Sequence, residues 1–369
     1  MAARYLEEGR PEDEAFHALF LDPRLVRYPH LYPGREVFPL TALSCKRFPG
    51  FRSGEDPTAP HGVEDRLFHR IAQVLGCKVD RDLSCSRCGE DLKGIAGWFT
   101  GTTRKGVHKT IQTHVGIDRS TRTSAQGILF SEEMISERRR SGEASPEGGD
   151  ETASPLQTFE GRLLVAEELL DSLRALAERP LRLGRSRSRG KGRVTLSILE
   201  EEPAWNETEA RKRWRAWSEA VTRFTGSKDF FFALTLHGGA IVIDPFLRPS
   251  SDPAAAVPWL PPIVPFGERS EVSFGASAKL EYLTSVSKMR VVRGWHAAHA
   301  LPRTDDLAIE AGSVFAYRLV GGDDECIERL LDRLVYLARE GIGVRRNEGY
   351  GSLSISAPFH HDFFQGGPG

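Results

Sequence analysis

The chain lacks a long apolar segment, a sizeable net charge and an even set of cysteines. No hydrophobic run approaches the roughly 20 residues that a transmembrane helix needs, and the first residues, MAARYLEEGRPEDEAF, are charged rather than signal-like. The 50 lysines and arginines balance 51 aspartates and glutamates, so affinity for a polyanion has to come from local basic patches. Five cysteines among 369 residues argue against a disulfide framework and leave a metal site open. The composition predicts a folded, cytoplasmic protein with no membrane association and room for two domains.

Signatures of common catalytic sites are also missing. The phosphate loop GxxxxGK[ST], the nucleophile elbow GxSxG, paired carboxylates and an HD-type metal cluster do not occur. Histidines lie close together at His296 and His299 and at His360 and His361, but their spacing fixes no lysine or tyrosine partner. We interpret them as structural residues. Metal-independent RNA cleavage by one of them is the alternative.

What the chain does contain is an internal repeat. The segment Leu169 to Arg179 reads LLDSLRALAER, and the segment Leu330 to Glu340 reads LLDRLVYLARE. A loop rich in glycine and arginine follows each copy, and then an alternating apolar run, Val194 to Leu199 or Leu353 to Ile355. The repeat predicts two modules of helix, basic loop and strand, an arrangement that suits an extended polyanion better than a small-molecule pocket.

The first basic loop has a periodic charge pattern. Between Arg182 and Arg193 there is no acidic residue, and from Arg185 onward every second residue is cationic. In extended chain such side chains share a face and lie roughly 6.7 Å apart, about one charge per nucleotide of a single strand, and glycines let the backbone approach phosphates. The alternative is a solvated surface loop. The predicted RNA contacts of the two loops are Arg182, Gly184, Arg185, Arg187, Arg189, Gly190, Lys191 and Arg193, and then Arg345, Arg346, Asn347 and Tyr350.

The cysteines predict a structural zinc site. Cys85 and Cys88 form a CxxC knuckle, and Cys45 and Cys77 could complete a shell of four thiolates, with His61 as the alternative to Cys77. Redox chemistry is disfavoured because no βαβ pattern surrounds the knuckle. Unliganded cysteines remain an alternative. Cys326 is read as a small apolar residue of the second repeat helix.

The segment Thr110 to Glu133 predicts a long β-hairpin. Two alternating runs surround a centre rich in serine, threonine and arginine, so the tip would display cations that can insert beside nucleotides. An ordinary edge hairpin is the alternative. Further candidate RNA contacts are Arg119 and Arg122 at the tip, His114 in the first run, and Lys46 and Arg47 directly after Cys45.

The predicted fold class is α+β, with two ferredoxin-like (RRM-like) domains. The first domain spans 1–200, with a zinc-binding insertion at about 41–97, the hairpin at 110–133 and a disordered loop at 137–155. A connecting helix at 201–227 begins at an Asn206 cap and is either an amphipathic helix packed on a domain or a docking face for a partner. The second domain spans 228–358 and a tail spans 359–369. No strand precedes the helix near Tyr5, so the first strand of domain one is expected to be missing or supplied by another chain.

Several ordered motifs together resemble a known family. They are SCKRFPGF, HGVEDRLF, CSRCG with LKGIAGWF, HVGIDRSTRTSAQGILFSEE, LRLGRSRSRGKGRV, the GW…LP…AGSVF stretch and GIGVRRNEGYG. The chain resembles the RAMP-superfamily CRISPR-associated proteins, and most closely the large two-domain subunit of type III-D effector complexes. The resemblance runs from Tyr5 to Ser356.

This resemblance implies a function. Such a subunit is non-catalytic and binds the repeat-derived 5′ tag of the CRISPR RNA, next to the large polymerase-like subunit and the backbone RAMP subunits, with only indirect contact to target RNA. The two basic loops would cradle RNA, and the hairpin would be the family's thumb. The alternatives are an endoribonuclease that processes precursor CRISPR RNA and a zinc-stabilised protein-interaction adaptor.

Overall fold

The chain folds into two compact units. The computed structural model describes residues 1–52, 56, 59–79, 83–139, 155–184, 186, 189–199, 205–275, 278–296, 299 and 301–364. The larger unit comprises Met1–His30, Val37–Ala96 and Arg162–Gly369, and the smaller unit comprises Leu31–Glu36 and Gly97–Gly161. No helix within the described ranges is long and apolar enough to cross a membrane. Most of the loop predicted at 137–155 lies outside the described residues.

The helices within the described residues are mostly short. They are α1 (Ala2–Glu7), α2 (Glu14–Phe20), α3 (Leu67–Val74), α4 (Leu170–Ala177), α5 (Glu207–Thr225), α6 (Asp324–Glu340) and α7 (Phe359–Asp362). Both repeat helices are confirmed, as α4 and the end of α6. Two of the leucine positions that the copies share are buried in both, as Leu173 and Leu176 in one and Leu334 and Leu337 in the other. The sequence identity of the repeat therefore reflects core packing.

The strands before residue 200 form small sheets and hairpins. They are β1 (Val26–Arg27), β2 (Glu36–Val37), β3 (Ala42–Cys45), β4 (Val63–Asp65), β5 (Leu92–Gly94), β6 (Trp98–Thr100), β7 (Thr103–Lys105), β8 (Lys109–Ile117), β9 (Ser124–Ile135), β10 (Leu164–Val165), β11 (Leu181–Arg182) and β12 (Arg193–Val194). In the larger unit β1 pairs with β10, β11 pairs with β12, and β3 lies between β4 and β5. A first ferredoxin-like domain stays a prediction, as do the predicted domain boundaries.

The remaining strands build the main sheet and one projecting hairpin. They are β13 (Phe230–Leu236), β14 (Glu271–Ser273), β15 (Lys279–Val286), β16 (Met289–Val292), β17 (Trp295–His296), β18 (Leu301–Pro302), β19 (Asp306–Ile309), β20 (Val314–Val320) and β21 (Leu353–Ile355). The main sheet has the order β14-β15-β20-β13-β21 and is antiparallel throughout. With α6 between β20 and β21, this arrangement is consistent with a ferredoxin-like fold.

Both faces of the main sheet are covered. Phe232 and Leu234 face one core with α6, while Phe231 and Ala233 face a second core with α3. This two-sided burial explains why β13 reads as a continuous apolar run, FFFALTL, instead of alternating with polar residues. The strand ends at Leu236, and Gly238 and Gly239 follow it.

The predicted helix between the two halves is α5. The Asn206 side chain accepts a hydrogen bond from the Glu209 N–H at 3.1 Å, which confirms the cap. Trp214 packs into the first core of the sheet and Trp217 into the second. The face of α5 that carries these two tryptophans is therefore a packing face.

The smaller unit contains the predicted long hairpin. Strands β8 and β9 pair from Lys109 with Ile135 to Ile117 with Ser124, with one register shift near Gly116. At the base, the Gln157 carboxamide exchanges hydrogen bonds with the backbone N–H and carbonyl of His108, at 2.8 and 2.9 Å. The hairpin prediction is confirmed.

Candidate nucleic-acid interface and metal centre

Four soft donors converge beside the sheet formed by β3, β4 and β5. The ligand atoms of Cys45, His61, Cys85 and Cys88 all lie within 4.8 Å of one another. Sγ of Cys45 lies 3.6 Å from Sγ of Cys88, and Nδ1 of His61 lies 3.3 Å from Sγ of Cys85. Three thiols and one imidazole form a donor set that structural zinc sites use. These residues could hold a metal ion such as zinc.

Backbone N–H groups point at the sulfurs of Cys45 and Cys88. Burial raises the pKa of the Cys45 thiol, but the N–H groups of Phe48 and Arg47 and the neighbouring thiols outweigh it and lower this pKa below its ordinary value. The Glu90 N–H lowers the pKa of Cys88, yet burial and the thiols of Cys45 and Cys85 raise it on balance. Backbone N–H groups directed at sulfur are the outer-shell partners that thiolate ligands need. The donor chemistry therefore fits zinc.

The fourth donor is His61 and not Cys77. Cys77 follows α3. Its N–H donates to the Ala72 carbonyl at the end of that helix, and its thiol donates to the carbonyl of Thr225 at 3.4 Å. His61 is held over the knuckle because its N–H bonds to the Phe48 carbonyl and its ring packs on the Phe48 ring at 4.7 Å. Of the two donors that the sequence left open, the structure brings His61 to the site. Cys326 is buried in α6, as expected.

The two basic loops share one backbone path. The N–H of Leu183 bonds to the carbonyl of Gly192 at 2.8 Å, and the N–H of Ile342 bonds to the carbonyl of Gly351 at 2.9 Å. Positive φ angles occur at matching places, which are Gly184, Ser186, Gly190 and Gly192 in the first loop and Gly343, Arg345, Gly349 and Gly351 in the second. The helix and the loop of the repeat are thus repeated in the structure, whereas of the run Val194 to Leu199 only Val194 is in a strand, β12.

Glycine is required where each loop closes. A Cβ on Gly192 would lie 1.9 Å from the Leu183 carbonyl oxygen, and a Cβ on Gly351 would lie 1.9 Å from that of Ile342. Both positions also have positive φ, at 74° and 81°. The glycine pattern that we linked to phosphate approach therefore has a structural cause at these two positions.

The first loop is a turn and not an extended segment. The N–H of Arg189 bonds to the carbonyl of Ser186 at 3.0 Å, and Ser186 has a φ of 59°. In the described residues of this loop, positive φ angles at Ser186, Gly190 and Gly192 depart from the extended chain on which the expected spacing of roughly 6.7 Å between alternate cations depends. Arg182, Arg189 and Arg193 are exposed and Lys191 is half-buried, while Arg185 and Arg187 lie outside the described residues.

The second loop uses its charges internally. The Arg345 guanidinium donates to Asp306 at 2.6 Å and to Glu348 at 2.5 Å, and Arg346 donates to the Glu340 carbonyl at 2.9 Å and to its carboxylate at 3.1 Å. The Tyr350 ring is only 8% exposed and lies edge-on to His30. The Asn347 amide reaches the Phe20 carbonyl at 3.5 Å.

The two loops thus differ in charge on the same backbone. Glu348 and Tyr350 in the second loop stand where the first has Arg189 and Lys191. The first loop contains no acidic residue that could pair with its cations. In the second loop, ion pairs neutralise Arg345 and Arg346.

The hairpin tip is ordered by its own side chains. The Asp118 carboxylate accepts from the N–H and hydroxyl of Ser120, at 2.8 and 2.6 Å, which lowers the pKa of Asp118. Arg119 and Arg122 are exposed there, and Arg122 has a φ of 55°. His114 stacks on Phe130 across the strands, with ring centroids 5.1 Å apart. Lys46 and Arg47, on the larger unit, are exposed beside the metal-ligand cluster.

A buried polar network joins three separate parts of the larger unit. Nε2 of His360 lies 2.8 Å from the Thr235 hydroxyl, and Nδ1 lies 3.1 Å from the Asp65 carboxylate. Thr41 donates to the same carboxylate at 2.5 Å. These side chains resemble a nucleophile triad in order, but His360 and Asp65 are 0% exposed and Thr235 is 3% exposed. No substrate can reach the threonine, so the network is structural.

Comparison with known proteins gives one family match. Residues 99–195 match the model of the RAMP superfamily, a segment that holds the long hairpin, α4 and the first basic loop. No curated protein matches the chain. Among solved structures, a Cas6 product complex is similar with a TM-score of 0.32 and 14% identity, over 56% of this chain and 80% of that one. The similarity to the RAMP superfamily thus covers residues 99–195.

Proposed function

We propose that this chain is a non-catalytic, RNA-binding subunit of a type III CRISPR effector complex and binds the 5′ repeat-derived tag of the CRISPR RNA. The observation that carries the proposal is the pair of loops with one backbone path, of which the first, inside the RAMP-matching segment, exposes Arg182, Arg189 and Arg193. Loops with exposed cations and glycines bind phosphates without reading bases. The partners would be the large polymerase-like subunit and the backbone RAMP subunits.

The division of charge between the loops makes the proposal more specific. Phosphate contact belongs to the first loop, because the cations of the second are neutralised by Asp306, Glu340 and Glu348. The second loop would support the RNA site and contribute little electrostatic attraction itself.

We further propose that Cys45, His61, Cys85 and Cys88 hold a structural Zn²⁺ ion. Zinc would fix the connection between β3 and the knuckle, and so the exposed Lys46 and Arg47 that follow Cys45. Its role is to stabilise the fold, since four protein ligands leave no open position for a reactant.

The salt dependence of RNA binding tests the phosphate contacts. The triple variant Arg182→Ala/Arg189→Ala/Arg193→Ala should bind single-stranded repeat RNA more weakly, whatever its sequence. Each lost phosphate contact removes about 0.7 from the slope of log K against log salt, so three contacts reduce it by about 2. Fluorescence anisotropy from low to moderate salt measures this slope.

A matched control removes the same charge elsewhere. Lys212, Arg213 and Arg223 are exposed on α5, and Lys212→Ala/Arg213→Ala/Arg223→Ala should keep the wild-type slope. Equal slopes for the wild type and both triple variants would contradict the assignment of the first loop.

A further inference from the structure

A hairpin with two separately paired segments lies in the larger unit next to the second basic loop. Strand β16 pairs with β19, and β17 pairs with β18, to form what we call the arm. On one face Val292 and Ala308 are buried against Ile241 and Tyr350. On the other face Met289, Val291 and Leu307 are exposed. The arm is thus anchored at its base by Val292 and Ala308 on one face and by the buried Ile309 on the other, while the rest of that second face is exposed.

Ion pairs tie the arm to the second loop. Asp306 at the start of β19 accepts from Arg345 at 2.6 Å, and Arg303 lies 3.5 Å from Glu348. Arg345 also pairs with Glu348 and lies over the Tyr350 ring, 5.1 Å from its centroid. The ion pairs of Arg345 with Asp306 and of Glu348 with Arg303 therefore bind the arm to the second loop. This contact makes the surface of the arm continuous with the loop.

Trp295 is the unexplained residue of the arm. Its side chain is 61% exposed, although a tryptophan buries 150–250 Å² in a core and stabilises it. In the β17–β18 register it stands opposite Pro302. Among the described residues, no ring contact or side-chain hydrogen bond of Trp295 requires an indole at this position.

Two arginines lie close to Trp295 along the arm, Arg293 two residues before it and Arg303 beside Gly294. The Arg293 side chain is 82% exposed and pairs with Asp305 at 3.6 Å, in an exposed pair that contributes little. Arg303, two residues beyond Leu301, is 42% exposed in its side chain. An exposed indole with an exposed guanidinium two residues away suits stacking on a single-stranded base and contact with the adjoining phosphate.

We propose that Trp295 stacks on a base of the bound RNA and that Arg293 contacts a neighbouring phosphate. The inference rests on the proposed RNA-binding function and adds a base-stacking position to it. RNA is favoured over a protein partner because the exposed Arg293 lies two residues from the indole and because ion pairs join the arm to the second basic loop, which repeats the proposed phosphate-binding loop. A protein interface at Trp295 is then an outcome of the test.

The test compares Trp295→Ala, Trp295→Phe and Phe246→Ala. Phe246 is 78% exposed on a separate turn and serves as the control for loss of an exposed aromatic ring. Stacking is worth about 1–3 kcal/mol per base, so Trp295→Ala should weaken binding of single-stranded repeat RNA roughly 5- to 150-fold. The salt slope should stay unchanged because no phosphate contact is lost. Trp295→Phe should retain most of the affinity, and Phe246→Ala should bind as the wild type does.

A second readout locates the stacked base. RNAs with 2-aminopurine at successive positions should show fluorescence quenching at one position with the wild type and with Trp295→Phe, but not with Trp295→Ala. Equal affinity and equal quenching for the wild type and Trp295→Ala would overturn the inference and leave RNA binding intact. Failure of the wild type to bind any repeat RNA would overturn both proposals. Loss of a co-purifying subunit at unchanged RNA affinity would reassign Trp295 to a protein interface.

Discussion

At the scale of single residues, the donor that completes the metal cluster is set by contacts distant in sequence. His61 reaches the knuckle because Phe48 holds both its backbone and its ring. Cys77 is held by Thr225, which is 148 positions away. Spacing between cysteines carries no information about either contact. The sequence therefore predicted three ligands and left the fourth open.

Removal of one ligand should release the metal and destabilise the fold. Cys85→Ser is expected to lower zinc content and melting temperature together, because metal binding contributes directly to the free energy of folding. Cys77→Ser is the matched control, since its hydroxyl can still donate to the Thr225 carbonyl. Elemental analysis and thermal unfolding of protein purified without chelator measure both quantities. Zinc bound equally by the two variants, or absent from the wild type, would refute the site.

The buried network of Asp65, His360 and Thr235 shows what sequence reasoning misses at this scale. Asp65 and Thr235 belong to different strands, and His360 lies in α7 near the end of the chain. The adjacent histidines were interpreted as structural, which this network supports for His360. Its partners left no local signal, since they meet only through the packing of α7 against β4.

At the scale of elements, the repeat was the most reliable guide. Both helices form because their shared leucines need a core, and both loops close through the same hydrogen bond and the same positive φ angles. The alternating charge of the first loop was misleading because alternation implies a common face only in extended chain. Glu348, the acidic residue in GIGVRRNEGYG, was the sequence signal that a cation of the second loop is neutralised within the loop.

The ion pairs between the second loop and the arm should contribute stability that acid removes. Arg345 lowers the pKa of Glu348 below its ordinary 4.5, so this contribution is complete above that pH and is lost as the pH falls through the lowered value. Urea unfolding should therefore show wild type more stable than Glu348→Gln by about 1 kcal/mol at pH 7, because Glu348 is partly exposed and screened by solvent. The difference should shrink below pH 4.5.

The control is an acid on a different surface. Glu219 is exposed on α5, and Glu219→Gln should match the wild type at each pH. A difference for Glu348→Gln that stays constant from pH 7 to acid would show that the carboxylate charge is not what holds the arm.

At the scale of the whole molecule, the sequence predicted the α+β class, the connecting helix α5 and the long hairpin. It did so because buried apolar runs, turn residues and the helix cap at Asn206 are local signals. The sequence did not predict the arm as a separate feature, because it does not show that Trp295 is exposed. The division of labour between the loops likewise needed the partners of Arg345 and Arg346.

The most direct measurement of the central claim is incubation of the purified chain with end-labelled single-stranded repeat RNA, with and without EDTA. Native and denaturing gels from the same reactions report binding and cleavage separately. A non-catalytic tag-binding subunit retains the RNA in a salt-sensitive complex and leaves every molecule intact over hours. Specific cleavage by the wild type, lost in His114→Ala or His299→Ala at unchanged affinity by the roughly 10²–10⁴-fold typical of acid–base catalysis, would contradict the account and make the protein an endoribonuclease.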